Sequence, residues 1–217
     1  MARPTLIIGN RNYSSWSLRA WLTLEAIGQP FDEVVIPLGQ EDTTEEILRW
    51  SPTARVPAFK DGEVFLWDSL AICEHLAEAF PKAGLWPAEV TARATARSVV
   101  AEMHSGFVAL RKHMPMNLRA SHPVADHQPG VEDDIARIKR IWEDCRTHFG
   151  GDGNLLFGKF TIADAFYAPI VSRFRTYGVS PGGVASDYME AVWDLPAMQD
   201  WAVKAHAEKW KVERYDR

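Results

Sequence analysis

The chain has 217 residues, enough for one large or two small domains, and 47% of them are apolar, as in ordinary globular proteins. Its formal net charge is -5 with acids and bases interspersed, which excludes the basic surface typical of nucleic-acid binders. No apolar run approaches the ~20 residues of a membrane span, and the opening residues lack the long apolar region of a signal peptide. We therefore expect neither a nucleic acid nor a membrane as partner.

Residues 1–80 alternate between strand and helix patterns. Apolar residues predict a buried strand at 5–8, and helical spacing over 16–27 predicts a helix that ends at Gly28. A second strand at 31–37 and a short helix at 43–50 follow. The Asp-Gly turn at 61–62 joins strands 56–60 and 63–66 into a hairpin, and an amphipathic helix covers 68–80. This order predicts a small α/β domain with helices packed on a sheet.

Residues 81–87 form a linker punctuated by proline and glycine, and residues 88–217 show helical patterns only. The predicted helices cover 88–114, 131–149, 161–177, 184–193 and 196–207, with a long loop at 115–129. The sequence thus predicts an α/β domain followed by an all-helical domain.

Cysteine and histidine spacing gives no support for a disulfide framework or a metal site. Cys73 and Cys145 lie far apart in helical patterns, which favours a reducing cytoplasm as compartment. The seven histidines show no paired spacing with cysteines or carboxylates, so we predict no metal.

Four motifs, taken together, resemble those of the glutathione transferase superfamily, and the resemblance covers essentially the whole chain. They are the serine loop of zeta-type and related bacterial enzymes (14–19), the proline-containing strand entry (55–57), the acid–serine pair after Trp67 (68–69) and the capping motif of the helical domain (157–164). The resemblance implies a thioredoxin-like, glutathione-binding domain, a helical domain with an electrophile pocket, and a homodimer.

A transferase of this kind must present a thiolate, because the neutral thiol is a poor nucleophile. Lowering a thiol pKa of ~8.5 by ~2 units takes about 2.7 kcal/mol of preference for the anion. One hydrogen bond to a charged group supplies about 1.5–3 kcal/mol, and a helix N-terminus adds about 0.3–1 kcal/mol. A single hydroxyl at the start of the first helix is therefore sufficient.

The resemblance places this hydroxyl at Ser14, counting back from the helix end at Gly28. Ser15, Ser17 and Tyr13 remain alternatives, and a serine here could also serve only as a helix cap. Neither cysteine lies in this loop, which departs from the cysteine-type members that form mixed disulfides with glutathione.

The same resemblance implies how glutathione is held. A cis Val56–Pro57 peptide would let the main chain of Val56 pair with the cysteinyl backbone of the ligand. Ser69 and the N-terminus of its helix would hold the γ-glutamyl carboxylate, and Asp68 the ammonium, unless Asp68 merely caps the helix. Arg55 would reach the glycyl carboxylate or the γ-glutamyl end.

The electrophile pocket is expected on the predicted long helix. His104, Ser105, Val108 and Arg111 share one face of that helix, and Gly106 within it suggests close packing against a neighbour or a ligand. Helix packing or a dimer contact is the alternative for this face. Of two cations near the end of the helix at 161–177, we place Arg175 in the pocket, facing an anionic group.

Thr161 and Asp164 have the spacing of a capping box, which we assign to folding. The predicted function is conjugation of glutathione, its only co-substrate, to a small hydrophobic electrophile. Glutathione-dependent isomerisation of the maleylacetoacetate type and a non-catalytic glutathione-binding module are the alternatives.

Overall fold

The computed structural model describes residues 3–123 and 128–216, so the predicted loop at 115–129 lies partly outside the described residues. The first domain contains, in chain order, β1 (Thr5–Ile8), α1 (Ser15–Ile27), β2 (Asp32–Val35), α2 (Thr43–Leu48), β3 (Ala58–Asp61), β4 (Val64–Trp67) and α3 (Ser69–Ala79). Each predicted element of this domain is present, with ends that differ from the predictions by a few residues.

The four strands form one mixed sheet in the order β2-β1-β3-β4. β1 runs parallel to β2 and antiparallel to β3, and β3 and β4 form the predicted hairpin. Because side chains alternate along a strand, Leu6 and Ile8 join the main core, whereas Ile7 joins a smaller cluster on the other face with Ile47 of α2. The sheet is therefore covered on both faces.

The described part of the second domain consists of helices and loops, with two isolated β-bridges at residues 155–159. After a 3₁₀ turn at Pro81–Ala83, it contains α4 (Val90–Ser105), α5 (Val108–His113), α6 (Val131–Phe149), α7 (Ile162–Tyr177), α8 (Gly183–Trp193) and α9 (Pro196–Ala207), and a second 3₁₀ turn covers Glu213–Tyr215. The predicted fold class, a thioredoxin-like domain followed by an all-helical one, is confirmed.

The single helix predicted at 88–114 is wrong, because the chain breaks between α4 and α5. Gly106 is extended (φ -99°, ψ -165°), and Phe107 adopts a left-handed conformation with φ 56°. A Cβ on Gly106 would lie 2.7 Å from the carbonyl oxygen of Glu102, so this glycine permits the close turn. Phe107 is buried at this break, and α5 begins at the next residue, Val108.

Helix α7 is the centre of the molecule and packs against α1, α4 and α8. The predicted capping box is present at its start. The Asp164 carboxylate accepts hydrogen bonds from the Thr161 N–H (2.8 Å), the Thr161 hydroxyl (3.0 Å) and the Leu156 N–H (3.1 Å). This buried cap fixes the loop before α7 as well as the helix itself.

Contacts between α1 and α7 join the two domains into one continuous core. The buried guanidinium of Arg19 lies between two rings, 4.3 Å from the centroid of Trp16 and 4.6 Å from that of Phe166. Among the described residues, no helix combines the length and apolar character needed to cross a membrane.

Candidate functional site

A cleft of about 930 Å³ lies where the two domains meet. Most of the predicted glutathione and thiol residues line it. They are Tyr13, Ser14, Ser15, Arg55, Val56, Pro57, Asp68 and Ser69, and Arg111, predicted for the electrophile pocket, lines the cleft as well. The structure therefore brings together motifs that are up to about a hundred residues apart in the sequence.

Ser14 is the N-cap of α1, and its hydroxyl belongs to a small buried chain of hydrogen bonds. Its Oγ accepts from the Ser17 N–H (3.3 Å) and lies 2.7 Å from the Ser17 Oγ, where either hydroxyl can donate. The Ser17 Oγ in turn accepts from the Gly9 N–H at 3.1 Å. When Ser17 donates to Ser14, the Ser14 hydrogen is free to point into the cleft.

Ser17 is fully buried and does not line the cleft, so its place is behind Ser14. Ser15, the first residue of α1, does line the cleft, and its Oγ accepts from Arg173 Nη2 at 3.4 Å. Burial and the neighbouring Arg111 lower the pKa of Arg173 to about 10, which leaves it charged at neutral pH. Ser14 and Ser15 thus both present hydroxyls to the cleft, Ser15 beside a cation.

The Tyr13 hydroxyl is already occupied by two partners within the protein. It donates to Asp216 Oδ1 (2.6 Å) and accepts from Arg119 Nη2 (2.8 Å). Burial and the bond to Asp216 raise the pKa of Tyr13. Its hydrogen is therefore committed to a carboxylate, which argues against Tyr13 as the thiol donor.

The Val56–Pro57 peptide bond is cis, as predicted. The pairing of β3 with β1 begins only at Ala58, so Val56 lies just outside the ladder and lines the cleft. Its main chain is therefore placed where an extended peptide could pair with it. Arg55, next to it, is exposed at the rim of the cleft.

The start of α3 forms the other polar part of the cleft. Ser69 is fully buried, and among the described residues its hydroxyl has no hydrogen-bond partner. Asp68 caps the helix, since its Oδ1 accepts from the Leu70 N–H at 2.8 Å. A buried, unpartnered hydroxyl at a helix N-terminus is suited to a carboxylate ligand.

His104 lies beside this site but does not line the cleft. Its Nε2 is 3.4 Å from Asp68 Oδ2, and its ring stands edge-on to Trp16 with centroids 5.2 Å apart. Burial is the main cause that lowers the pKa of His104; Asp68 opposes the shift and Arg19 adds to it. The geometry makes His104 a neighbour of the predicted ammonium-binding carboxylate.

Three further residues predicted for the electrophile pocket, Ser105 and Val108 on the predicted long helix and Arg175 on the helix at 161–177, do not line this cleft. Ser105 is exposed and donates to the Ala101 carbonyl, and Val108 is 69% exposed beyond the break between α4 and α5. Arg175 points away from the cleft, where it forms an ion pair with Glu190 and stacks on Trp193. None of the three lines the cleft.

Arg111 does reach the cleft, although by a different route from the one predicted. It donates to the carbonyls of Met103 and His104 at the end of α4 and lies over the Trp16 ring at 5.0 Å. Arg111 thereby connects α5 to the end of α4 and places its guanidinium beside the Trp16 ring.

Several residues of the cleft were not predicted as site residues. Among them are Trp16, Met116, Arg173, Arg214 and Tyr215. Arg173 and Arg175 both follow buried residues of α7 by four and by seven positions, so apolar periodicity in the sequence does not separate them. Arg214 and Tyr215 carry no local signal, because a tertiary contact brings them to the cleft.

The described residues contain no cluster of three or more metal-ligating side chains. The polar groups that line the cleft are hydroxyls, guanidinium groups, the Asp68 carboxylate and the main chain.

Comparison with known proteins gives a consistent result. The model of the glutathione S-transferase N-terminal domain matches residues 13–79, and that of the C-terminal domain matches residues 128–202. The chain is 32% identical over 208 residues to a probable maleylacetoacetate isomerase of Caenorhabditis elegans, covering 90% of this chain and 91% of that protein.

Solved structures share the fold. One is a holo structure of maleyl pyruvate isomerase, a bacterial zeta-class enzyme, with a TM-score of 0.73, 23% identity, and coverage of 96% of this chain and 100% of that one. Another is a glutathione transferase homolog from Burkholderia gl BGR1 with bound glutathione, with a TM-score of 0.71, 24% identity, and coverage of 94% and 99%. With both domain models matched and a relative similar over nearly its whole length, the chain belongs to the glutathione S-transferase family.

Proposed function

We propose that the cleft binds glutathione and that the Ser14 hydroxyl stabilises its thiolate for attack on a small electrophile. The main support is the position of Ser14, a hydroxyl at the N-terminus of α1 that lines the cleft and has Ser17 behind it. When the thiol loses its proton to solvent, Ser14 donates to the sulfur and Ser17 donates to Ser14. The Ser14 oxygen then accepts from Ser17, and the Ser17 oxygen accepts from the Gly9 N–H.

The placement of the cleft residues supports the remaining predicted contacts. The cysteinyl main chain would pair with Val56, which lines the same cleft as Ser14. The γ-glutamyl carboxylate would meet the unpartnered Ser69 hydroxyl and the N-terminus of α3, and the ammonium would meet Asp68. Arg55 would take a carboxylate at the rim.

The test is the thiol pKa of bound glutathione, followed by thiolate ultraviolet absorbance against pH in the wild type and Ser14→Ala. We expect a wild-type pKa at least one unit below ~8.5 that returns toward ~8.5 in the variant. The turnover kcat/KM should fall by about 10- to 150-fold, the equivalent of about 1.5–3 kcal/mol for a hydrogen bond to a charged group.

Ser15→Ala is the matched comparison, because Ser15 presents a second hydroxyl to the same cleft. A lowered pKa that survives Ser14→Ala but not Ser15→Ala would move the role to Ser15. An unshifted pKa in the wild type would contradict activation and leave a glutathione-binding module as the better account.

Glutathione-dependent isomerisation is the second candidate function. Two observations favour it: the similarity to proteins named maleylacetoacetate isomerase, and the cations Arg111 and Arg173 in the cleft, which suit an anionic substrate. The two reactions differ in stoichiometry. Isomerisation of maleylacetoacetate would regenerate glutathione, whereas conjugation to an aryl halide would consume one glutathione per turnover.

A further inference from the structure

The segment after α9, residues 208–216, returns to the cleft and forms part of its wall; we name it the C-terminal strap. Its residue Val212 is buried and lies against the loop between β2 and α2, 3.5 Å from where a Cβ of Gly39 would stand. Arg214 and Tyr215, in the 3₁₀ turn at its end, line the cleft. The strap thus adds side chains to a site otherwise built from distant motifs.

The beginning of the strap is anchored by charged hydrogen bonds. The Glu208 carboxylate accepts from the main-chain N–H groups of Arg11 (2.8 Å) and Asn12 (3.2 Å). Arg119 donates to the carbonyls of Glu208 (2.6 Å) and Trp210 (3.0 Å). These bonds join the strap to the turn just before the serine loop and to the segment after α5.

The end of the strap is anchored directly at the cleft. The Tyr13 hydroxyl donates to Asp216 Oδ1 (2.6 Å), and Asn117 Nδ2 donates to the Tyr215 carbonyl (2.9 Å) and to Asp216 Oδ1 (3.1 Å). The rings of Tyr13 and Tyr215 also pack together, with centroids 5.8 Å apart. The position of Tyr215 and of Arg214 beside it therefore depends on Tyr13.

Arg214 is the cation that this arrangement presents to the cleft. Its guanidinium lies over the Tyr215 ring at 4.6 Å, which holds the side chain without neutralising it. Among the described residues, no carboxylate forms an ion pair with it within 4.0 Å. The N-terminus of α3 suits one carboxylate, and glutathione carries two, so Arg214 and the rim residue Arg55 are both available to the second.

We propose that Arg214 binds a ligand carboxylate and that Tyr13 is the positioning residue that holds it in place through Asp216. The proposal rests on the proposed function. The carboxylate has two possible sources, the glycyl end of glutathione and an acidic group of the electrophile, and the experiment separates them.

The experiment compares each ligand with its ester, in which the carboxylate is blocked. Calorimetric titration with glutathione and with its glycyl monoethyl ester, on the wild type and Arg214→Gln, tests the first source. The ratio of kcat/KM for 4-chloro-3,5-dinitrobenzoate to that for its methyl ester tests the second. Lys211→Gln removes an equal charge from an exposed strap residue that does not line the cleft, and is the matched control.

We expect Arg214→Gln to lower the carboxylate-to-ester ratio of one ligand about tenfold from its wild-type value, the equivalent of about 1.4 kcal/mol. Lys211→Gln should leave both ratios at their wild-type values. If the ratio for glutathione and its ester falls in Arg214→Gln, Arg214 binds the glycyl carboxylate. If the ratio for the electrophile and its ester falls, Arg214 binds the second substrate. If both ratios are unchanged in Arg214→Gln, the proposal is overturned.

Tyr13→Phe tests the positioning role, because it keeps the ring and removes only the hydroxyl. In Tyr13→Phe, the carboxylate-to-ester ratio that depends on Arg214 should fall part of the way to its value in Arg214→Gln. In the double variant Tyr13→Phe/Arg214→Gln, that ratio should be no lower than in Arg214→Gln alone. A Tyr13→Phe variant with the wild-type ratio would overturn this part. Absence of any glutathione binding in the wild type would overturn the proposed function, whereas binding with a lowered thiol pKa and unchanged ratios would overturn Arg214 alone.

Discussion

At the scale of single residues, Ser14 and Ser17 form a hydroxyl pair whose donor and acceptor can exchange. The Gly9 N–H donates to the Ser17 oxygen whichever of the two hydroxyls is the donor. Because this bond does not use the Ser17 hydrogen, that hydrogen stays available for Ser14. The proposed thiolate donor is therefore oriented by a neighbour that never reaches the ligand.

The variant Ser17→Ala tests this relation. It removes one neutral hydrogen bond of about 0.5–1.5 kcal/mol, so we expect kcat/KM to fall by about 2- to 13-fold. The thiol pKa of bound glutathione should rise, but by less than in Ser14→Ala. Adding Ser17→Ala to Ser14→Ala should cost no further activity, and a full additional loss in the double variant would contradict the relation.

The two cysteine side chains offer a second prediction at this scale. Burial raises the pKa of Cys73 and that of Cys145 to about 12, and both thiols are free. At pH 8 only about one thiol in 10,000 is then ionised, and the thiolate is the reactive form. Dithionitrobenzoate should label neither thiol in the native protein and both after unfolding in urea. Rapid labelling of the native protein would show that one of the two is accessible.

Site residues could be predicted from the sequence where a local motif carries them. The serine loop, the cis proline and the start of α3 are each defined within a few neighbouring residues, and all three meet at the cleft. The distinction between Arg173 and Arg175 depends on helical phase, and Arg214 depends on a tertiary contact. Neither appears in a motif.

At the scale of elements, the strands and helices of the first domain could be predicted because their apolar patterns end at glycine, proline or an Asp-Gly turn. The break between α4 and α5 could not, because apolar residues continue through it at helical spacing. Burial of Phe107 against the core stabilises a left-handed residue that its own preferences disfavour. The break also separates the predicted pocket residues, since His104 and Ser105 lie on α4 and Val108 and Arg111 on α5.

The capping box of α7 gives the prediction for this scale. Asp164→Ala leaves three donors without their acceptor in a buried loop, so we expect the free energy of unfolding to fall by about 2–5 kcal/mol. Thr161→Ala, which keeps the carboxylate, should cost about 1 kcal/mol. Urea denaturation followed by tryptophan fluorescence measures both.

Asp187→Ala, at an exposed position of α8, is the control for Asp164→Ala and should remain within about 0.5 kcal/mol of the wild type. If Asp164→Ala matched this control, the carboxylate would have no structural role.

At the scale of the whole molecule, the two-domain organisation could be predicted from the apolar pattern. Strand and helix patterns alternate over residues 1–80, whereas only helical patterns follow the linker. The arrangement of the domains could not, since it depends on the fit of α1 against α7. Arg19, held between Trp16 and Phe166, is part of that fit and is fully enclosed.

A homodimer remains a prediction at this scale. Apolar side chains are exposed on both domains, among them Leu48 (52% exposed) in the first and Val90 (68% exposed) in the second. Pairing of one subunit's α/β domain with the other's helical domain would cover such positions. Light scattering should give twice the 24.5 kDa mass of one chain. A monomeric mass would contradict the prediction.

The C-terminal strap has a consequence for how the protein is made. Translation delivers the serine loop, the start of α3 and α7 before residues 208–216, so one wall of the cleft is absent until those residues have been made. A nascent chain that stops before residue 208 would present the serine loop in a wider and less cationic cleft. Under our proposals, such a product would accept a broader range of thiols than the chain that includes residues 208–216, and these residues would narrow that range.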